Sequence, residues 1–122
     1  MTTIILLIVA LNFAHFLGDY TPLNKWFIKA KQYGTPVWLV AGHGVINGSL
    51  YGITIWLLID FKMALLGFII ETASHTIIDV LKGRVNKWFP IVEDNANQIH
   101  WIVMGLDQFL HQMVLVFIVS LY

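Results

Sequence analysis

The chain has 122 residues, 58% of them hydrophobic, and a mean hydropathy of +0.76. A soluble domain of this size needs less apolar surface to fill its core, so the surplus must face lipid or other helices. Seven basic and seven acidic residues balance and cysteine is absent, which argues against a nucleic-acid partner and excludes disulfides and thiolate metal sites.

Four segments are long and apolar enough to be membrane-spanning helices, because a helix rising about 1.5 Å per residue crosses the hydrocarbon core in roughly 20 residues. They cover residues 3–19, 37–59, 63–81 and 102–122. The second segment is the clearest span, since it contains no Lys, Arg, Asp or Glu. No basic residue precedes Ile4, so we expect the first segment to be retained rather than cleaved as a signal peptide. The sequence predicts one all-α transmembrane domain over residues 1–122, folded as a four-helix bundle.

The basic residues predict the orientation of this bundle. Six of the seven lie in the loops after the first and third segments: Lys25, Lys29, Lys31, Lys82, Arg84 and Lys87. The positive-inside rule places these loops in the cytoplasm. Both termini are therefore expected on the non-cytoplasmic side.

The tetrapeptide Asn-Lys-Trp-Phe occurs twice, at residues 24–27 and 86–89, and a His-x3-Asp pair precedes each copy. This pattern indicates a duplicated helical hairpin, whose two copies would place equivalent residues at equal depth. Lysine and aromatic residues also favour membrane interfaces for independent reasons, which would produce the same match without duplication. Both explanations stay open.

Polar residues four positions apart share one face of a helix, and each predicted helix has such a face. The faces carry His15 with Asp19, His43 with Asn47, Glu71 with His75 and Asp79, and Asp107 with His111. In the predicted topology these groups share one layer: His15, His43, His75 and Asp107 lie roughly 5–10 Å inside the cytoplasmic boundary, and Glu71, Asn47 and His111 lie a little deeper. Ionisable groups in a membrane turn inwards and usually mark a functional site.

Imidazole and carboxylate donors without thiolates suit zinc, manganese or iron, so the layer is predicted to bind a divalent metal ion. The candidate ligands are His15, Asp19, His43, His75, Asp79, Asp107 and His111. Glu71 is the candidate catalytic base. The alternative for the layer is a metal-free polar network or proton relay, and the alternative for His43 is helix packing beside two glycines.

Lys25 and Lys82 lie near the cytoplasmic mouth of this layer and are candidate binding groups for an anionic substrate or lipid headgroup. Their other interpretation is as topology signals only.

The pattern formed by these polar residues resembles a family of small polytopic membrane proteins from bacteria and their phages. The motifs are His15-x3-Asp19, His43, His75-x3-Asp79-x2-Lys82 and Asp107-Gln108-x2-His111. That family is catalogued only as a domain of unknown function, so the resemblance implies a bacterial inner-membrane location rather than a reaction. Residues 21–24 depart from it, because family members often have a Gln soon after the first Asp. The pattern is also distantly similar to inner-membrane metal-dependent hydrolases.

Three functions remain open from the sequence. The first is a metal-dependent hydrolase acting on an anionic or lipid substrate. The second is transport of a metal ion or protons, although the outer half of the helices offers few polar groups for a path. The third is a non-catalytic membrane protein whose polar network orients helices or binds a partner. A homo-oligomer is expected, because four short helices bury only a modest interior.

Overall fold

The computed structural model describes residues 1–122 and contains only helices. Five α-helices follow one another along the chain: α1 Thr2–Tyr20, α2 Ile28–Tyr33, α3 Val37–Leu58, α4 Phe61–Trp88 and α5 Gln98–Ser120. Two short 3₁₀ turns, Pro22–Asn24 and Pro90–Glu93, lie in the longer connections. The predicted all-α class is confirmed.

The helix count and two helix boundaries differ from the sequence prediction. The chain has five α-helices rather than four, because α2 forms inside the segment expected to be a loop. Helix α4 continues to Trp88 instead of ending at residue 81. The apolar pattern stops at residue 81, but the Lys and Arg residues that follow favour helix, so the helix itself does not stop. Helix α5 begins at Gln98 rather than at residue 102. The Asn97 side chain caps this earlier start by accepting a hydrogen bond from the Ile99 amide at 2.9 Å.

Three helices, α1, α4 and α5, are long and apolar enough to cross a membrane. Helix α3 has 22 residues but is not among them. Its length is sufficient, and its glycines, His43 and Asn47 lower its mean hydropathy although it carries no formal charge. The prediction that this segment is the clearest of the four spans is therefore not confirmed.

Helix α4 is the centre of the molecule and packs against α2, α3 and α5. Its contact with α3 is close because glycines of α3 face it. A Cβ at Gly44 or Gly48 would collide with the side chain of Thr76 or Thr72, respectively, and with an α4 carbonyl oxygen 2.9 Å away. Small residues let two helix backbones approach in this way.

The interior has two chemically different halves. One half is an apolar core of nine buried residues: Leu7, Leu11, Ala14, Tyr51, Ile55, Ala64, Leu115, Ile118 and Val119. The other half, towards the C-terminal ends of α1 and α4, holds all nine buried polar residues of the protein. Large apolar side chains such as Trp38 and Leu57 point outwards, 72% and 77% exposed, which is consistent with contact to a lipid bilayer.

The short helix α2 packs on α4 at the polar end. It ends at Gly34, whose φ of 67° is the left-handed conformation that terminates many helices. Gly83 of α4 has no side chain to keep the Gly34 backbone away, so the end of α2 lies directly on α4. This contact fixes the position of Lys31, one turn before the end of α2.

The glycine contact predicts the outcome of one substitution. Gly48→Ala should lower the free energy of unfolding in detergent by about 1–3 kcal/mol, because the new methyl group pushes α3 and α4 apart. Gly105→Ala in α5 is the matched control, since a Cβ there meets no atom within 4 Å. The measurement is the midpoint of chemical unfolding followed by circular dichroism. Equal or higher stability of Gly48→Ala relative to the control would contradict this packing.

Candidate metal centre

The nine buried polar residues form a single cluster, to which α1, α3, α4 and α5 all contribute. We call it the His-carboxylate cluster; it consists of His15, Asp19, His43, Asn47, Glu71, His75, Asp79, Asp107 and His111. On each helix the contributing residues are four apart, so every helix presents a single polar face to the interior. The structure thus brings together all seven residues predicted as metal ligands.

Four donor atoms at the centre form a ring. Asp19 Oδ1 lies 2.8 Å from His43 Nε2 and 3.2 Å from His75 Nε2. On the opposite side, Asp79 Oδ2 lies 3.7 Å from His43 Nε2 and 3.4 Å from His75 Nε2. Donors bound to one metal ion at about 2.1 Å are about 3.0–3.4 Å apart for angles between square and tetrahedral. Two of the four separations fall within this range, and the donor atoms of Asp19, His43 and His75 all lie within 4.8 Å of one another. We call Asp19, His43, His75 and Asp79 the first donor set.

A second donor set lies beside the first and shares Asp79 with it. His111 Nε2 is 3.5 Å from Asp79 Oδ1 and 3.6 Å from Asp107 Oδ1. Asp79 thus directs one carboxylate oxygen to each donor set. The donor atoms of Asp79, Asp107 and His111 all lie within 4.8 Å of one another. A carboxylate between two donor sets is an arrangement that two-metal sites use.

Many donor atoms of the cluster have no hydrogen-bond partner. They include both nitrogens of His15 and His111, Nε2 of His75, Oδ2 of Asp79 and Oδ1 of Asp107. A buried polar atom left unpaired costs about 1–3 kcal/mol, so these atoms are available to bind water, a proton or a metal ion. These buried His, Asp and Glu groups could hold a metal ion.

In His75 and Asp107 the other polar atom of the side chain is held by the protein. His75 Nδ1 lies 3.0 Å from Glu71 Oε1, and a carboxylate there fixes the ring so that Nε2 faces the first donor set. Asp107 Oδ2 accepts hydrogen bonds from Lys82 Nζ at 3.0 Å and from Gln108 Nε2 at 3.1 Å. His75 and Asp107 are thus oriented from behind by their neighbours.

His15 belongs to a further group. Its donor atom and those of Glu71, His75 and His111 lie within 4.8 Å of one another, and the rings of His15 and His111 are 5.0 Å apart. His15 Nε2 is also 3.5 Å from Asp19 Oδ2. Glu71 is only 1% exposed, on the side of His75 away from Asp19 and Asp79. Its predicted role as a base stays a prediction, and its contact favours a role in positioning His75.

The two predicted substrate-binding lysines have different surroundings. Lys82 reaches the cluster through Asp107. Lys25 does not: it is exposed, and its ammonium lies over the ring of Trp26, 4.6 Å from the centroid. His100, which the sequence did not favour as a ligand, lies outside the cluster with Nδ1 2.7 Å from the Val92 carbonyl oxygen.

Lys31 is the residue of the site that sequence reasoning missed. Its Nζ lies 3.0 Å from His43 Nε2, 3.4 Å from Asp19 Oδ1 and 3.5 Å from Asp79 Oδ2, directly beside the first donor set. Burial alone would lower the pKa of this ammonium, but the carboxylates of Asp79 and Asp19 outweigh burial and hold that pKa above its usual value. Lys31 is therefore a permanent positive charge at the entrance of the cluster.

A polar cleft of about 340 Å³ reaches the cluster from the α2 side. Its lining includes the ammonium groups of Lys31 and Lys82, the carboxylate of Asp79, and the amides of Asn24, Gln32 and Asn86. The cleft joins the charged groups of the centre to the protein surface.

Comparison with known proteins gives one match. A family model described as "Protein of unknown function (DUF3307)" matches residues 5–122, nearly the whole chain. No curated protein and no solved structure matches. The resemblance to a domain of unknown function is confirmed, while the distant likeness to hydrolases has no named relative to support it.

The surroundings of Lys31 predict a pH-dependent stability. In metal-free protein at pH 7, Lys31→Met should lower the free energy of unfolding by about 1.5–3 kcal/mol, because Asp19 and Asp79 lose a charged partner. The folded state raises the pKa of Lys31, so its contribution is complete below the unfolded-state value of 10.5 and disappears as the pH rises through the higher folded-state value.

The difference between wild type and Lys31→Met should thus narrow above pH 10.5 in denaturant titrations performed with a chelator. Lys29→Met, an exposed lysine two residues earlier on α2, is the control and should change stability by less than about 0.5 kcal/mol. A loss for Lys31→Met that is equal at pH 7 and pH 12 would show that its ammonium does not pair with the carboxylates.

Proposed function

The chain belongs to the DUF3307 family, and from the geometry of its cluster we propose that it is a membrane protein that binds two divalent metal ions and uses them to hydrolyse an anionic substrate. The observation that carries the proposal is the pair of donor sets joined by the two oxygens of Asp79. One ion would bind Asp19, His43, His75 and Asp79, and the other would bind Asp79, Asp107 and His111.

Zinc, manganese and iron all accept such a mixture of imidazole and carboxylate ligands. A divalent ion in this position makes a bound water more acidic and draws electrons from a substrate oxygen. The protein would supply the rest: Lys31 and Lys82 attract and orient the anion, and Glu71 holds His75 in position. The cleft on the α2 side would admit the substrate.

The proposed orientation in the membrane follows from charge. The loops after α1 and α4 contain six of the seven basic residues, so this end of the bundle would face the cytoplasm of a bacterium, with both chain termini outside. In that orientation α3 would be the fourth span, with its polar residues facing the cluster. The cleft would open to the cytoplasmic interface.

The two other functions considered from the sequence receive less support. A transport path would need polar groups beyond the cluster, but the remaining half of the interior is the apolar core around Leu7, Leu11 and Leu115. A purely structural network would pair its donors and acceptors in short hydrogen bonds, whereas the carboxylate oxygens nearest to Nε2 of His15 and His111 lie 3.5–3.6 Å away.

Metal analysis tests the proposal directly. Wild-type protein purified in detergent and reconstituted with zinc, manganese or iron should contain about two ions per chain by plasma mass spectrometry. Asp107→Asn should lose one ion, since only the second donor set includes Asp107. Asp79→Asn should lose both, since both sets include Asp79.

The matched controls are Asp94→Asn and His100→Gln, which change the same residue types outside the cluster and should keep the wild-type metal content. Wild-type protein that holds no metal after reconstitution with all three ions would refute the proposal. Lys31 and Lys82 would then be the countercharges of a metal-free network.

Glu71→Gln separates the two roles available to Glu71. The Gln side-chain oxygen still accepts a hydrogen bond from His75 Nδ1, so a positioning role predicts wild-type metal content and a decrease in kcat of less than about tenfold. A decrease of about 10²–10⁴ in kcat with both metal ions retained would instead identify Glu71 as the base. Single-turnover rates and metal content are measured on the same preparation.

A further inference from the structure

We propose that the substrate is a membrane lipid with a phosphomonoester headgroup, which enters from the side between α4 and α5. This inference rests on the proposed metal centre and names the substrate class of that site. It is based on the charge of the cleft, on a groove continuous with it, and on the position of Lys82 in both.

The charge of the centre matches a dianion. The cluster contains four carboxylates, of Asp19, Glu71, Asp79 and Asp107, and the ammonium groups of Lys31 and Lys82 contact three of them. With the histidines neutral, as metal ligation requires, two negative charges remain. Two divalent ions would reverse this to two positive charges. A phosphomonoester, which carries close to two negative charges at pH 7, neutralises them.

Metal binding would also free the lysines for the substrate. In the present arrangement Lys31 Nζ is shared between Asp19 and Asp79, and Lys82 Nζ lies 3.0 Å from Asp107 Oδ2. A metal ion takes over the charge of these carboxylates, so both ammonium groups can donate to phosphate oxygens in the cleft that they line. Two lysines above two metal ions form a site for a highly charged, compact anion.

An apolar groove leads away from the same place. It begins between α4 and α5 at Lys82 and Asp107, and Leu81, Val85 and Leu106 line its first part. Ile78 and Leu110 line both this part and the next, which continues along the two helices to Ile70 and Phe117. The two parts have volumes of about 140 and 460 Å³.

The length of the groove fits one acyl chain. From Lys82 to Ile70 it follows α4 for about 18 Å, since a helix rises about 1.5 Å per residue. One leaflet of the hydrocarbon core is roughly 15 Å thick. The groove is thus about as long as one leaflet is thick, and a lipid whose phosphate lies beside Lys82 would have its acyl chain along it. The charged cleft would bind a headgroup and the apolar groove would bind a tail, so together they indicate an amphiphilic substrate.

The reaction at this position would be ester hydrolysis. The oxygen of a water molecule forms a new bond to phosphorus, and the bond between phosphorus and the lipid oxygen breaks. One proton of the water goes to the departing alkoxide and the other stays on the released phosphate. The products are a neutral lipid alcohol and inorganic phosphate, and no oxidant or second substrate is needed.

The experiment compares three phosphate compounds on wild-type protein loaded with manganese or zinc. Phosphatidic acid in mixed micelles is a lipid phosphomonoester, phosphatidylglycerol is a lipid phosphodiester, and glycerol 3-phosphate is a soluble phosphomonoester. Hydrolysis of the phosphate ester of phosphatidic acid should exceed that of the other two by at least about 10² in kcat/KM, measured as released phosphate for the monoesters and as released glycerol or phosphatidic acid for the diester. Fluorescently labelled phosphatidic acid should bind the metal-loaded protein and be released by a chelator, which is a readout independent of turnover.

Two tryptophan variants test the groove. Leu110→Trp fills it, and should raise the KM for phosphatidic acid by about tenfold or more while the metal content stays at the wild-type level. Leu57→Trp places the same side chain on the 77% exposed outer face of α3 and should behave as wild type. Lys82→Met should weaken binding of the labelled lipid by about tenfold, because the headgroup loses a charged partner.

The possible outcomes separate the lipid proposal from the metal proposal. Lipid hydrolysis that depends on Leu110 and Lys82 supports both. Metal-loaded protein that cleaves glycerol 3-phosphate as fast as phosphatidic acid, or that binds and cleaves neither lipid, overturns the lipid proposal and leaves the metal centre. Wild-type protein that retains no metal overturns the metal proposal, and the lipid proposal with it.

Discussion

Four carboxylates buried inside a bundle of apolar helices are the constraint on which the rest of the structure depends. An ion removed from water loses several kcal/mol of solvation, and only nearby positive charge or donors compensate for that loss. The cluster collects histidines from four helices, Asn47 from α3, Lys31 from α2 and Lys82 from the last two turns of α4. Glycines serve the same end: Gly44 and Gly48 let α3 lie close to α4, and Gly18 of α1 leaves the space that the Asn47 side chain occupies.

Much of this site could be predicted from the sequence because the spacing of its residues within each helix determines which face they share. His15 and Asp19, or Asp107 and His111, are four residues apart, and helix geometry alone puts such pairs on one face. The cost of charge in lipid then turns those faces towards one another. The depth of each pair relative to the ends of the spans was enough to bring seven proposed ligands to one level, as the structure has them.

The parts that could not be predicted depend on tertiary contacts. Lys25, Lys29 and Lys31 look alike in a basic loop, and charge counting gives them one role in topology. The contact between Gly34 and Gly83 holds the short helix α2 against α4. This position of α2 directs Lys31 towards the cluster, whereas Lys25 stays at the surface over the ring of Trp26. A six-residue helix is too short to form without such packing, so no pattern in the sequence predicts it. The extension of α4 to Trp88 was not predicted for a related reason. The apolar pattern marks where a helix leaves the core and not where it ends.

The distribution of the cluster over α1, α3, α4 and α5 has a consequence for the biosynthesis of the protein. Translation delivers the helices in order, so α1 brings Asp19 and α4 brings Glu71 and Asp79 before α5 exists. At that stage three of the four buried carboxylates are present, while Asp107 and His111 are still being synthesised. The half-made protein therefore contains polar faces that lipid would not solvate, and the last helix adds Asp107 and His111, the two members that the cluster still lacks.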